Sequence, residues 1–177
     1  YFHYKTESSI KFVFGIVSGI YEKYEEVSNG TKLSIYYHKE HDKNTTGITD
    51  ALKRAMEYNS LYFSPYPYGE IIVAEFPRSA GSYATTSGNV IQMSEIRFIG
   101  DPGEQKDGLI DLAFYTAAHE LSHQWWGNQV MPADAPGAVM LTESICEYVT
   151  AKVYEKKFGK QQALKFLKIQ MNRYLSG

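Results

Sequence analysis

The chain has 177 residues, 44% hydrophobic and 15% aromatic, with 18 Lys and Arg against 20 Asp and Glu for a net charge of −2. That length suits one domain with a sizeable core, and the near balance of charge gives no footprint for nucleic acid. A single cysteine, Cys146, excludes an internal disulfide, and the most apolar early stretch, 10–20, is too short for a bilayer and carries Lys11, Ser18 and two glycines.

In chain order, the sequence opens at Tyr1 without an initiator Met or a leader, and reads as a domain excised from a longer protein. Ser8 or Ser9 is placed to cap a helix running to about Val27, and Asn29-Gly30 turns the chain into a strand over 32–37. His38 and His41 read as a surface turn rather than a second metal site, since no Cys or acidic cluster joins them. Residues 47–63 have helical periodicity, with Ile48, Leu52, Ala55, Met56 and Leu61 on one side, and Pro65 and Pro67 end the helix. Residues 70–76 and 90–98 are predicted strands, and 101–107 a loop.

The most informative residues follow. His119-Glu120-Leu121-Ser122-His123 lies at the end of an apolar helical stretch without Pro or internal Gly, capped by Asp107 or Asp111, running through Trp126 and stopping at Gly127-Asn128. On a helix, positions i and i+4 share a face, so His119 and His123 can close on one ion while Glu120 sits beside it. A carboxylate there can take the proton of an attacking water, the chemistry of metal-assisted peptide hydrolysis. Two imidazoles on an apolar helix also need partners, and a metal supplies both. A hydrolytic zinc needs a third protein ligand. After a loop over 131–137, a second predicted helix, 137–157, offers Glu143 as that ligand. One turn on, Glu147 can accept a hydrogen bond from a ligand histidine's free ring nitrogen. A last amphipathic helix covers 160–175.

The run His-Glu-Leu-Ser-His-Gln-Trp-Trp-Gly-Asn-Gln-Val at 119–130, followed by Leu-Thr-Glu-Ser at 141–144, resembles the aminopeptidase N family of gluzincin metallopeptidases. Gly137 to Glu143, Ser64-Pro-Tyr-Pro-Tyr-Gly, Glu75-Phe-Pro-Arg, the Tyr-His-x-x-His pattern at 37–41 and Asn89 to Glu95 are most similar to a bacterial branch fused to, or associated with, ABC-type transporter permeases. The resemblance implies zinc ligands His119, His123 and Glu143, with Glu120 as general base. Three departures accompany it. Nineteen residues separate His123 from Glu143, one more than the family usually has, and the extra one is expected in the 131–137 loop. The stretch 82–89, which matches the family's Gly-x-Met-Glu-Asn motif, has no acidic residue to hold a substrate's free amino group. The family's oxyanion-stabilising Tyr falls beyond residue 177.

The resemblance implies an α+β, thermolysin-like zincin domain spanning 1–177, with a mixed α/β part at 1–106, a mainly helical part at 107–177 and one zinc between them. In that fold an edge strand beside the motif helix takes the peptide by β-augmentation, and Val90, Ile91, Gln92, Met93, Ser94 and Glu95 are the expected residues. The favoured function is zinc-dependent peptide-bond hydrolysis, with Glu120 acting on a water held by the zinc. The alternative is a weakly active or non-catalytic, metal-stabilised module that binds peptides or regulates a membrane transporter system. The implied partners are a peptide substrate and a transmembrane permease, and the implied location is the extracytoplasmic side of a membrane.

Overall fold

The computed structural model describes residue 5 and residues 16–101 and 110–176. Its first half is a five-stranded sheet, formed by β1 (Glu22–Ser28), β2 (Thr31–Tyr37), β3 (Glu70–Phe76), β4 (Ala84–Ser87) and β5 (Val90–Ser94) in the order β1-β2-β3-β5-β4. β2, β3 and β5 run parallel, and β1 and β4 flank them antiparallel. Helix α1 (Thr45–Tyr62) is the crossover between β2 and β3, as a parallel pair requires.

Alternate residues of the parallel strands face the helices. Leu33 and Ile35, Ile71 and Val73, and Ile91 and Met93 are all fully buried. The register sets Leu33 beside Ile71, Ile35 beside Val73 and Val73 beside Ile91, which makes a continuous apolar row. Onto it pack Ile48, Ala51, Leu52, Ala55 and Met56 of α1, recurring at helical spacing. The same core receives Ala113, Phe114, Ala117, Ala118 and Leu121 of α3 (Leu112–Ser122). The small alanines let α3 approach closely. A short α2 (Ile96–Ile99) joins β5 to that helix region, and α4 (Ile145–Phe158) and α5 (Lys160–Ser176) close the helical half around Tyr154 and Phe166.

The mixed α+β architecture expected from the sequence is the one found. Several elements differ. The helix expected from Ser8 or Ser9 to Val27 begins outside the described residues, but over 16–27 the chain is not helical: 16–21 form no regular element and the rest is strand β1. Asn29 and Gly30, at φ 49° and 80°, form the two-residue turn of a β1–β2 hairpin. An Asn-Gly pair favours that turn because both positions need positive φ. β5 stops at Ser94, and Glu95 turns the chain into α2 rather than continuing a strand to 98. β4 has no counterpart among the predicted strands. Its presence corrects the expectation that 90–95 forms the edge: β5 is enclosed by β3 and β4, so the ladder groups of Val90–Ser94 are paired on both sides. The edge beside the helices is β4.

Candidate metal centre

The centre begins with a well-made helix. Asp111, in extended conformation, caps α3 by accepting a hydrogen bond from the Phe114 N–H at 2.9 Å. Asp107, the other expected cap, lies outside the described residues. α3 ends at Ser122 rather than Trp126, so His119 sits in its last turn and His123 at its C-cap. The chain beyond curls back. Gly127, at φ 118°, makes the bend a side chain would strain, and Val130 N–H bonds to the Trp125 carbonyl. Gln124 Nε2 and Asn128 Nδ2 both donate to the Gly88 carbonyl, at 2.7 and 3.2 Å, and Trp125 Nε1 donates to the Ser64 carbonyl at 2.8 Å. These bonds explain the polar residues after the histidines: Gln124 and Asn128 tie the end of α3 to the β4–β5 turn, and Trp125 ties it to the segment after α1.

Glu143 comes from a π-helical turn, Met140–Ser144, that opens α4. A π turn holds one residue more than an α turn. The 131–137 stretch, where the extra residue of the His123–Glu143 spacing was expected, forms no regular element. The turn points Glu143 back at α3. His119 Nε2 and His123 Nε2 stand 3.2 Å apart, and Glu143 Oε2 lies 3.3 Å from the first and 3.7 Å from the second. Metal bonds of about 2.1 Å in tetrahedral array put neighbouring ligand atoms about 3.4 Å apart. The three atoms fit a zinc-sized ion.

Each group is oriented from behind. His123 Nδ1 donates to the Trp126 carbonyl at 3.1 Å, which leaves the Nε2 lone pair facing the centre. Cys146 Sγ lies 3.4 Å from the same Nδ1, behind the ring and away from the Nε2 side that faces the centre, and burial pushes its thiol pKa up. His119 Nδ1 is buried without a hydrogen-bond partner, and Glu147 Oε1 stands 3.6 Å from it. Tyr115 OH donates to Glu147 Oε1 at 2.6 Å, and Gln170 Nε2 of α5 donates to Glu147 Oε2 at 3.0 Å. Glu147 is thus held facing its histidine. Burial works against a charge on His119, but the Glu143 hydrogen bond and the carboxylates of Glu120 and Glu147 raise its pKa above the ordinary value. The His119 hydrogen bond in turn lowers that of Glu143.

Glu120 is 7% exposed and also lies within 4.8 Å of both imidazoles, so distance alone would admit it as a ligand. Its carboxylate is otherwise engaged. The Thr86 hydroxyl of β4 lies 2.8 Å from Glu120 Oε2 and 2.9 Å from the Glu120 carbonyl, and shares its one hydrogen between them. That leaves Glu143 as the better third ligand, with Glu120 beside the metal position. The groups line an open cleft of about 330 Å³ whose other walls are Ala84, Thr85 and Thr86 of β4, with Gly127, Asn128 and Thr142. None of Val90, Ile91, Gln92, Met93, Ser94 and Glu95 lines it.

Thr86, Tyr115 and Gln170 were not foreseen. Tyr115 stands one helical turn before His119, a spacing that offered a signal. Thr86 and Gln170 reach the centre only through tertiary packing.

A family model described as the peptidase family M1 domain matches residues 47–176. Aminopeptidase N of Lactobacillus delbrueckii subsp. lactis is 28% identical over 124 residues, 68% of this chain and 14% of that protein. Aminopeptidase M1-C of Oryza sativa subsp. japonica is 26% identical over 121 residues, 67% of this chain and 14% of that protein. The chain therefore spans about one seventh of the curated relatives it matches. Among solved structures, the crystal structure of Legionella pneumophila aminopeptidase A in complex with aspartic acid superposes with a TM-score of 0.62, at 20% identity, over 79% of this chain and 16% of that one. At that identity the likeness concerns the fold.

Proposed function

The chain belongs to peptidase family M1, and on that premise we propose that it is the zinc-binding core of a peptidase, with His119, His123 and Glu143 as ligands and Glu120 as general base. The observation that carries the reading is the triangle of His119 Nε2, His123 Nε2 and Glu143 Oε2, with sides of 3.2, 3.3 and 3.7 Å. The orphaned Nδ1 of His119 supports it too, since a ligand histidine gains basicity when its second nitrogen meets a carboxylate such as Glu147. Zinc, when bound, supplies Lewis acidity toward water and the scissile carbonyl.

The chain's own residues do the rest. Glu120 takes the proton of the attacking water and later delivers it to the leaving amine. Thr86 steers that carboxylate by occupying Oε2 from one side. The outer edge of β4 offers main-chain groups to an extended peptide, so β-augmentation occurs on Ala84–Ser87. Among the described lining residues the acids are Glu120 and Glu143, both engaged in the chemistry, which leaves none to anchor an ammonium group. Blocked and free amino termini are accordingly both substrates. We carry the transporter-associated, extracytoplasmic parent as part of the proposal. No helix among the described residues is long and apolar enough to cross a membrane.

The test is Glu120→Gln beside His123→Ala, read by zinc content and by cleavage of peptides with blocked and free termini. Glu120→Gln keeps about one zinc at this centre and loses at least about 100-fold in kcat, whereas His123→Ala loses the zinc. Cleavage unchanged in Glu120→Gln would refute the catalytic reading and leave the metal-stabilised binding module.

A further inference from the structure

The His38–His41 turn lacks acidic neighbours in sequence, but the fold supplies them. His41 is carried on the turn after β2, Glu75 is the penultimate residue of β3, and Glu95 follows β5, so all three meet where the parallel strands end. One potential ligand atom from each lies within 4.8 Å of the others. We infer that His41, Glu75 and Glu95 form a second divalent-cation site, remote in sequence from the peptidase centre and independent of it.

Charge and burial carry the argument. Glu75 follows Ile71 and Val73 on the strand face that packs against the helices, and its side chain is wholly buried. A carboxylate in that place is costly unless compensated. Its Oε2 accepts the His38 backbone N–H at 2.7 Å, and its Oε1 faces His41 Nδ1 at 2.5 Å. The second carboxylate, Glu95, is 17% exposed, and its Oε1 is met by Arg78 Nε at 3.3 Å. Arg78 is 68% exposed, so it can follow Glu95 or leave it at little cost. Two carboxylates and one imidazole are thus gathered around one point, with a guanidinium approaching from solvent.

A cation would sit between His41 Nδ1 and Glu75 Oε1, with Glu95 as the third ligand. Bonds of about 2.1 Å require neighbouring ligand atoms about 3.0–3.4 Å apart, so the His41 turn opens by less than about 1 Å and Glu95 swings inward. One imidazole with two carboxylates suits zinc or manganese rather than calcium. The ion would pin the turn after β2, the end of β3 and the β5–α2 junction together, bracing the strand ends from which β4 is reached.

Equilibrium dialysis against Zn²⁺ and, in parallel, Mn²⁺, with elemental analysis of the whole chain, tests the site. Two ions per chain are expected, one in His41→Ala, one in His123→Ala and none in the double variant. Glu95→Gln, which keeps an acceptor for Arg78, weakens the second equivalent at least tenfold and carries the test if His41→Ala does not fold. A single equivalent of either metal, removed by His123→Ala and untouched by Glu95→Gln, overturns the proposal. Two equivalents with one lost in Glu95→Gln but none in His123→Ala would uphold it while sinking the peptidase centre.

Discussion

His119 is where several effects meet. Burial alone would hold its imidazole neutral, yet Glu143 bonds to it and Glu120 and Glu147 add negative potential, so in the metal-free protein its pKa is raised. The sign for metal uptake follows. A proton on either ligand histidine competes with the ion, and His119 keeps its proton to higher pH than an ordinary imidazole. Zinc affinity at the centre should therefore fall as pH drops, by up to about tenfold per unit for each proton displaced. The fall should begin above the usual histidine range near pH 6.5. Chelator competition between pH 6 and 8.5 measures it, with His41→Ala as the background so that one site is read. An affinity flat across that range would mean that His119 is not a ligand. Glu143 shares the effect from the other side, its lowered pKa keeping it ionised wherever the histidines are free to bind.

α3 is the element that aims both histidines, and its first turn hangs on one side chain. Replacing Asp111 with Ala removes the acceptor for Phe114 N–H and should cost about 0.5–2 kcal/mol in urea unfolding with zinc stoichiometry intact. No measurable change would deny it the capping role. Elements whose signals are local were legible: the apolar stripe of α1, the apolar run of α3, and the i, i+4 histidines, which needed only the helical period. Glu143 could be picked out because an acid one turn before Glu147 sits among apolar neighbours. Elements specified by partners were not. β1 was misread because the stretch to Val27 was read as helix, so that Asn29-Gly30 became a turn from helix to strand when it is a hairpin turn between two strands. β4 is four residues of Ala, Thr and Ser, with no apolar alternation to betray it. Missing β4 also placed the edge of the sheet one strand too far in, on β5. The acids that join His41 come from 34 and 54 residues away, beyond the reach of any spacing rule.

For the molecule as a whole, the proposed zinc is a crosslink. Its ligands belong to α3, which is packed on the sheet, and to the π turn leading α4, which with α5 builds the helical half. The residues between them, from His123 to Glu143, include 131–137, where no regular element forms. Without the ion, three groups suited to ligation face one another across that connection, and Glu143 is half exposed. Binding to the folded state alone stabilises by about 2.7 kcal/mol when free zinc is one hundred times its dissociation constant. For a domain of this size each kcal/mol moves the midpoint by about 2–4 °C, so saturating zinc should raise Tm by roughly 5–10 °C over the chelated protein. An ion at the His41 site would add an increment of its own, so the share of this crosslink is read with His41→Ala as the background. In that background it should persist, disappear when His123→Ala is added, and survive Glu120→Gln, which removes a base and no ligand. Calorimetric scans of these variants with and without chelator separate the cases. A zinc increment that survives in full when both His41 and His123 are replaced by Ala would place the stabilising ion elsewhere and leave the α3–α4 junction held by packing alone.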